Sequence, residues 1–149
     1  MAQSLACLHT HLVFSTKQRA PLIDDAIRKS LHAYLATVLQ GLNCPAILIN
    51  SVADHVHILF DLSRTSAMSD VVEKLKIASS KWMKRQAGHA GFSWQGGYGA
   101  FAVSESMVET VRRYIARQAE HHRKVTFQEE YRVFLERHRI AYDERYLWD

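Results

Sequence analysis

Two short patterns carry residue types that could act together on a phosphate. The first is Asp54-His55-Val56-His57-Ile58-Leu59-Phe60. In a strand the side chains alternate, so His55 and His57 share one face, about 7 Å apart, while Val56, Ile58 and Phe60 take the other. Two imidazoles on a rigid strand can hold one divalent ion and leave coordination positions free for substrate. An H-x-H pair alone is a weak pattern, and His9-Thr10-His11 is a second one. The bland alternative is two surface histidines on an open sheet face.

The second pattern is Val111-Arg112-Arg113-Tyr114-Ile115-Ala116-Arg117-Gln118-Ala119-Glu120-His121-His122. At helical spacing Met107, Val108, Val111, Ile115 and Ala119 define an inward face, with Gln118 and His122 inside that arc and Tyr114 at its edge. Inward polar groups need partners, and an ion on the neighbouring sheet would supply one. Gln118 offers a carbonyl oxygen as third ligand, which would set Tyr114 beside the ion; His122 competes for that role, and helical geometry does not choose. Arg112, Arg113 and Arg117 could bind phosphates near the tyrosine.

The elements that must position these groups follow from periodicity. Residues 9–14 alternate as a strand, with His9, His11 and Val13 on one face. A helix starts at Asp24-Asp25, runs through Ile27, Leu31, Tyr34, Leu35, Val38 and Leu42, and ends at Gly41 and Asn43. Runs 46–52 and 55–61 form an antiparallel hairpin. A second helix spans about 66–86 with Val71, Leu75, Ala78 and Trp82 on one face, and a Gly-rich aromatic loop covers 88–99. Tyr98–Val103 reads as a fourth strand. Ser106 and Glu109 form a capping box for a third helix through about His122, and Phe127–Arg139 reads as the last helix. The order predicts an α+β fold, a ferredoxin-like (RRM-like) antiparallel sheet with a β-α-β-β-α-β core and additional C-terminal helices.

The chain has 149 residues and 48% hydrophobic content, enough for one domain, 1–149, with a real core. A net charge of +4 suits a polyanionic partner but does not single one out. Cys7 and Cys44 form no C-x-x-C pair, so no cysteine-built zinc site is indicated. No run is long enough to span a membrane, and the first residues lack a signal-peptide pattern, so a cytoplasmic location is expected. On the second helix Lys74, Lys81 and Arg85 form a basic stripe with Lys84 beside it, which could track a nucleic-acid backbone. In the Gly-rich loop Phe92, Trp94 and Tyr98 could stack on unpaired bases, although at least one is needed to fold the loop onto the core.

Taken in order, His55-Val56-His57 followed by a helical Tyr114 and Gln118 resembles the single-tyrosine HUH transposases of the insertion-sequence 200/605 group, which includes the repeat-associated tyrosine transposases. The resemblance runs through HLVFSTKQRAPLI (11–23), DHVHILF (54–60), SSKWMK (79–84), WQGGYGAFAVS (94–104), YIARQAEHH (114–122), FQEEY (127–131) and YDERYLW (142–148). It implies cleavage and rejoining of single-stranded DNA at insertion-sequence ends through a 5′-phosphotyrosine, without ATP. It assigns Tyr114 as nucleophile and His55, His57 and Gln118 as ligands of Mg2+ or Mn2+. It also implies a DNA hairpin near the element end as partner, and a homodimer with active sites shared between subunits. The main alternative is a non-catalytic single-stranded nucleic-acid-binding module on an RRM-like sheet, which would carry aromatic rings where this face has histidines. Larger HUH relaxases or replication initiators and a structural zinc domain are further rivals.

Overall fold

The structure is a computed structural model that describes residues 2–149. Its strands are β1 (His9–Ser15), β2 (Ala46–Ser51), β3 (His55–Asp61) and β4 (Gly99–Ala102), and its helices are α1 (Asp25–Gly41), α2 (Met68–Lys84), α3 (Val108–Ala116), α4 (Gln118–His121) and α5 (Phe127–Arg137). The sheet order is β2-β3-β1-β4, with every neighbouring pair antiparallel. This is the predicted β-α-β-β-α-β arrangement, with α3 to α5 appended after β4. Among the described residues no helix is long and apolar enough to cross a membrane.

Strand alternation builds two different interiors. Leu12 and Phe14 of β1 and Val56, Ile58 and Phe60 of β3 pack under α1 and α2, against Leu31, Leu35, Leu39, Val71, Leu75 and Met83. The opposite face carries Val13 and Phe101, which pack with Phe127, Tyr131 and Leu135 of α5. That second face also bears His11, His55 and His57, each at most 2% exposed. The open, histidine-bearing face considered from sequence is therefore closed by the C-terminal helices.

Helix ends follow local chemistry. Asp24 caps α1 by accepting from the Ile27 amide at 2.9 Å, and Asn43 just past the helix takes a left-handed φ of 58°. The capping box expected at Ser106 and Glu109 does not form: Glu105–Met107 is a short 3-10 turn, and Met107 precedes α3 without a side-chain cap. The box occurs instead at Thr126 and Glu129, at the start of α5. The single third helix expected through His122 is broken at Arg117 (φ −100°, ψ 21°) into α3 and α4. Asn50 of β2 stabilises that break by donating to the Ile115 carbonyl, at the end of α3, at 2.8 Å.

Gly99 is the point where β4 lets α5 approach. A Cβ there would lie 2.6 Å from Cε2 and 3.0 Å from the hydroxyl of Tyr131, and 3.0 Å from Phe101 Cζ. Tyr131 is buried and packed against Phe127 and Trp148, so it has little room to yield. Gly99→Ala is expected to lower stability by roughly 1–3 kcal/mol by overpacking the α5 seat. Chemical denaturation would check this; an unchanged midpoint would show that α5 does not depend on that contact.

Candidate functional site

β3 presents His55 and His57 to the buried face, and neighbours fix the orientation of each ring. His55 Nδ1 is 2.7 Å from Asp54 Oδ1. His57 Nδ1 is 2.8 Å from Nε2 of His11, its diagonal neighbour on β1. With Nδ1 engaged, both rings turn Nε2 toward one carboxylate, Glu130 of α5: Glu130 Oε1 is 2.9 Å from His57 Nε2 and 3.5 Å from His55 Nε2. His122, just after α4, joins from a third direction. Its Nδ1 donates to the Val125 carbonyl at 2.7 Å, and its Nε2 is 3.3 Å from Glu130 Oε1. One ligand atom from each of His55, His57, His122 and Glu130 lies within 4.8 Å of the others.

Tyr114 reaches the same cluster within one chain. Its hydroxyl donates to Glu130 Oε2 and lies 3.3 Å from His121 Nε2, and its ring centroid is 5.9 Å from that of His57. Gln118 is fully buried, as its place in the apolar arc predicts. Its side-chain oxygen sits 2.8 Å from His122 Nε2, and its amide donates to the Tyr114 carbonyl at 3.5 Å.

Burial dominates the electrostatics. It pulls the His57 pKa down to about 4, against the opposing pull of Glu130. For His55 burial also acts downward, but the Asp54 and Glu130 carboxylates outweigh it and leave the pKa raised. Burial would raise the Glu130 pKa, yet the imidazoles of His122, His55 and His57 around it hold it far below the usual carboxylate range. Burial, then the Glu130 charge, push the Tyr114 phenol upward, so it keeps its proton until positive charge is brought near.

The donor set fits a divalent ion. His55 Nε2 is buried and has no hydrogen-bond partner among the described residues, an arrangement that a cation between the imidazoles would satisfy. Tyr114 also borders a groove of about 530 Å³, lined by Arg113, Arg117, His121 and Lys124. Arg113 and Arg117 therefore stand where the sequence put them, beside the tyrosine. Arg112 is not among the groove residues; it lies 3.8 Å from Glu109.

The other basic candidates lie on α2, across the sheet from the histidines. Lys81 and Lys84 line a cavity of about 590 Å³ with Lys76, Tyr98 and an edge of Trp94, while Lys74 and Arg85 are exposed but outside it. Trp94 corrects the expectation of a stacking platform. It is 7% exposed, its indole N–H donates to Ser79 Oγ at 2.9 Å, and its ring packs edge-on against Phe14 and Phe92. Too little ring surface remains for a base to stack. Phe92 is likewise core.

Sequence reasoning missed Glu130 and the supporting role of His11. A signal existed for Glu130: it lies three residues after Phe127 and five before Leu135, on the buried stripe of α5, where a carboxylate must have an internal partner. A second grouping also escaped the sequence, because its members are distant in the chain. Cys7 Sγ and Glu105 both approach His9 Nε2, while Asp61 takes Nδ1, which ties the N-terminal segment to the turn before α3.

The family model for transposases of the IS200-like type matches residues 4–118. The ISDra2 transposase TnpA of Deinococcus radiodurans is 26% identical over 117 residues, covering 74% of this chain and 84% of that protein. A crystal structure from Deinococcus radiodurans R1, described as a candidate transposase, superposes with a TM-score of 0.62 at 24% identity, covering 79% of this chain and 98% of that one. A REP-associated tyrosine transposase solved bound to a REP hairpin superposes with a TM-score of 0.60 at 13% identity, covering 84% of this chain and 76% of that one. With the family match spanning most of the chain and ending at Gln118, four residues beyond the tyrosine, this chain belongs to the IS200-like transposase family.

Proposed function

We propose that residues 1–149 act as one domain that cuts and rejoins single-stranded DNA at insertion-sequence ends, with Tyr114 as nucleophile. One observation carries the reading: the Tyr114 hydroxyl, at the edge of a basic groove, is hydrogen-bonded to the same carboxylate that faces Nε2 of His55 and His57. His55 and His57 would hold Mg2+ or Mn2+, which when bound neutralises charge on the scissile phosphate and orients it.

The chain's own groups account for the remaining requirements. Arg113, Arg117 and Lys124 attract the DNA backbone to the groove, and Asn50 holds the end of α3 so that Tyr114 stays aimed at the cluster. The Tyr114 oxygen attacks phosphorus, a phosphotyrosine bond forms, and the bond to the 3′-oxygen breaks. The proton that Tyr114 loses equals the one the 3′-hydroxyl gains, so the exchange is balanced and its reversal rejoins the strand without ATP.

A DNA hairpin near the element end is the proposed recognition element, by extension from the REP hairpin bound to the structural neighbour. The cavity of Lys76, Lys81 and Lys84 on α2 is a candidate contact for its backbone, with exposed Lys74 and Arg85 alongside. A homodimer remains part of the proposal, with each site complete in its own chain. The binding-module alternative is disfavoured because the sheet face that such modules offer to bases is here covered by α3 to α5.

Hairpin-bearing single-stranded oligonucleotides with Mn2+ should give a denaturant-resistant adduct carrying the strand's 3′ portion. Tyr114→Phe or chelator should abolish it; an undiminished adduct in Tyr114→Phe would falsify the assignment. Mixing His57→Ala with Tyr114→Phe protein should restore no cleavage, since each chain lacks part of its own site. Recovery of cleavage in the mixture would instead establish sites shared between subunits. Light scattering at working concentration tests the dimer itself, and a monomer mass would remove it from the proposal.

A further inference from the structure

We propose that Cys7, His9 and Glu105 form a separate metal site, for zinc, at the start of β1. It lies at the opposite end of that strand from Val13 and Ser15, which pair with His57 and His55. It shares no residue with the tyrosine cluster and does not depend on the function proposed above.

The sheet places two of the three donors. His9 faces Asp61 across the β1–β3 ladder, and its carbonyl accepts from the Val103 amide at 3.0 Å, on the β4 side. The Leu8 carbonyl accepts from the Leu62 amide at 3.0 Å. Cys7 is one residue before this anchored pair, and Glu105 is two residues after Val103. His9 Nδ1 meets the Asp61 carboxylate, while Nε2 meets Glu105 Oε2. Cys7 Sγ lies 3.2 Å from that Nε2 and 3.9 Å from that Oε2. Around a tetrahedral zinc ion, a sulfur stands about 3.6 Å from a nitrogen or oxygen donor. The two separations bracket that value, so small side-chain shifts seat the ion. The His9 ring is only 11% exposed, whereas Cys7 and Glu105 reach solvent and leave an entry path.

Without an ion, Glu105 and then Asp61 raise the His9 pKa, and a proton on Nε2 satisfies Glu105. That arrangement gives Cys7 no role, because a neutral thiol is only a weak donor and a weak acceptor. A zinc ion uses all three donors. One thiolate and one carboxylate neutralise its two charges. Asp61 holds the imidazole by Nδ1, as outer carboxylates orient zinc-bound histidines. The mixed sulfur, nitrogen and oxygen set suits Zn2+ rather than Mg2+, which takes oxygen. Binding displaces one proton from Cys7 and one from His9, so affinity rises with pH. Once occupied, the site clasps the segment before β1 to the 3-10 turn Glu105–Met107, which leads into α3, the helix of Tyr114.

The test titrates Co2+, a spectroscopic stand-in for zinc, into the full chain kept reduced by a phosphine. Sulfur marks the proposed site. The His55, His57, His122 and Glu130 cluster has no thiol, and Cys44 is buried with its sulfur between the Leu42 carbonyl and the Ser63 amide. Wild type should show near-ultraviolet thiolate-to-cobalt absorption that added Zn2+ bleaches, and Cys7→Ser should lose it. Glu105→Gln and Asp61→Asn should each weaken Co2+ binding roughly tenfold to a hundredfold, with folding checked by circular dichroism. Cys7 and Glu105 are exposed, so their variants carry the comparison should Asp61→Asn fold poorly. Absence of the absorption in wild type, or its persistence in Cys7→Ser, would refute the site. Absorption lost in Cys7→Ser, with affinity unchanged in Glu105→Gln, would mean adventitious thiol binding only and would overturn it equally. None of these outcomes bears on the DNA-adduct assay, so the two readings fail separately.

Discussion

Sealing the second face of the sheet obliges every polar group on it to find a partner inside the protein. His11, His55, His57, Gln118 and Glu130 are all at most 3% exposed, and they meet in one network. An unpartnered buried polar group costs on the order of 1–3 kcal/mol, so the positions of α3, α4 and α5 are coupled to the ring orientations of the histidines. Apolar packing of Val13 and Phe101 with Phe127, Tyr131 and Leu135 supplies the attraction that holds α5 down. The polar network fixes where along the sheet α5 can sit.

That arrangement explains why the site is assembled from the whole chain rather than from one motif. β1 gives His11, β3 gives His55 and His57, the end of α3 gives Tyr114, and α5 gives Glu130. The break at Arg117 lets the chain turn Gln118 inward and return His122 over the sheet, and Asn50 on the edge strand ties that break to the scaffold. The two basic regions are separated by the sheet: Arg113 and Arg117 flank the tyrosine, while Lys81 and Lys84 lie on α2 over the apolar core. A DNA that met both would pass around the sheet rather than lie across it.

Much of the fold was legible because its elements obey simple periods. Alternation located β1 and β3 and assigned the histidines to one face; helical spacing located α1, α2 and α5 within two residues at each end. The failures have specific causes. The capping box at Ser106 and Glu109 matched a pattern, but that backbone enters a 3-10 turn and the box forms at Thr126 and Glu129. Trp94 sits in a loop rich in glycine, which suggested exposure, yet its ring fills space between Phe14, Phe92 and Ser79.

The sequence alone determined the chemistry-bearing face of β3, the strand and helix order, and the presence of a tyrosine and a glutamine one helical turn apart, because these depend on spacing along the chain. Tertiary structure decided which side chains converge. Glu130 is 73 residues from His57, and His11 is 46 residues from it. No local period relates such positions. Only the pairing of β1 with β3 and the docking of α5 on the sheet bring the carboxylate, the imidazoles and Tyr114 within hydrogen-bonding reach, since a buried carboxylate is stable only where other chain segments supply its partners.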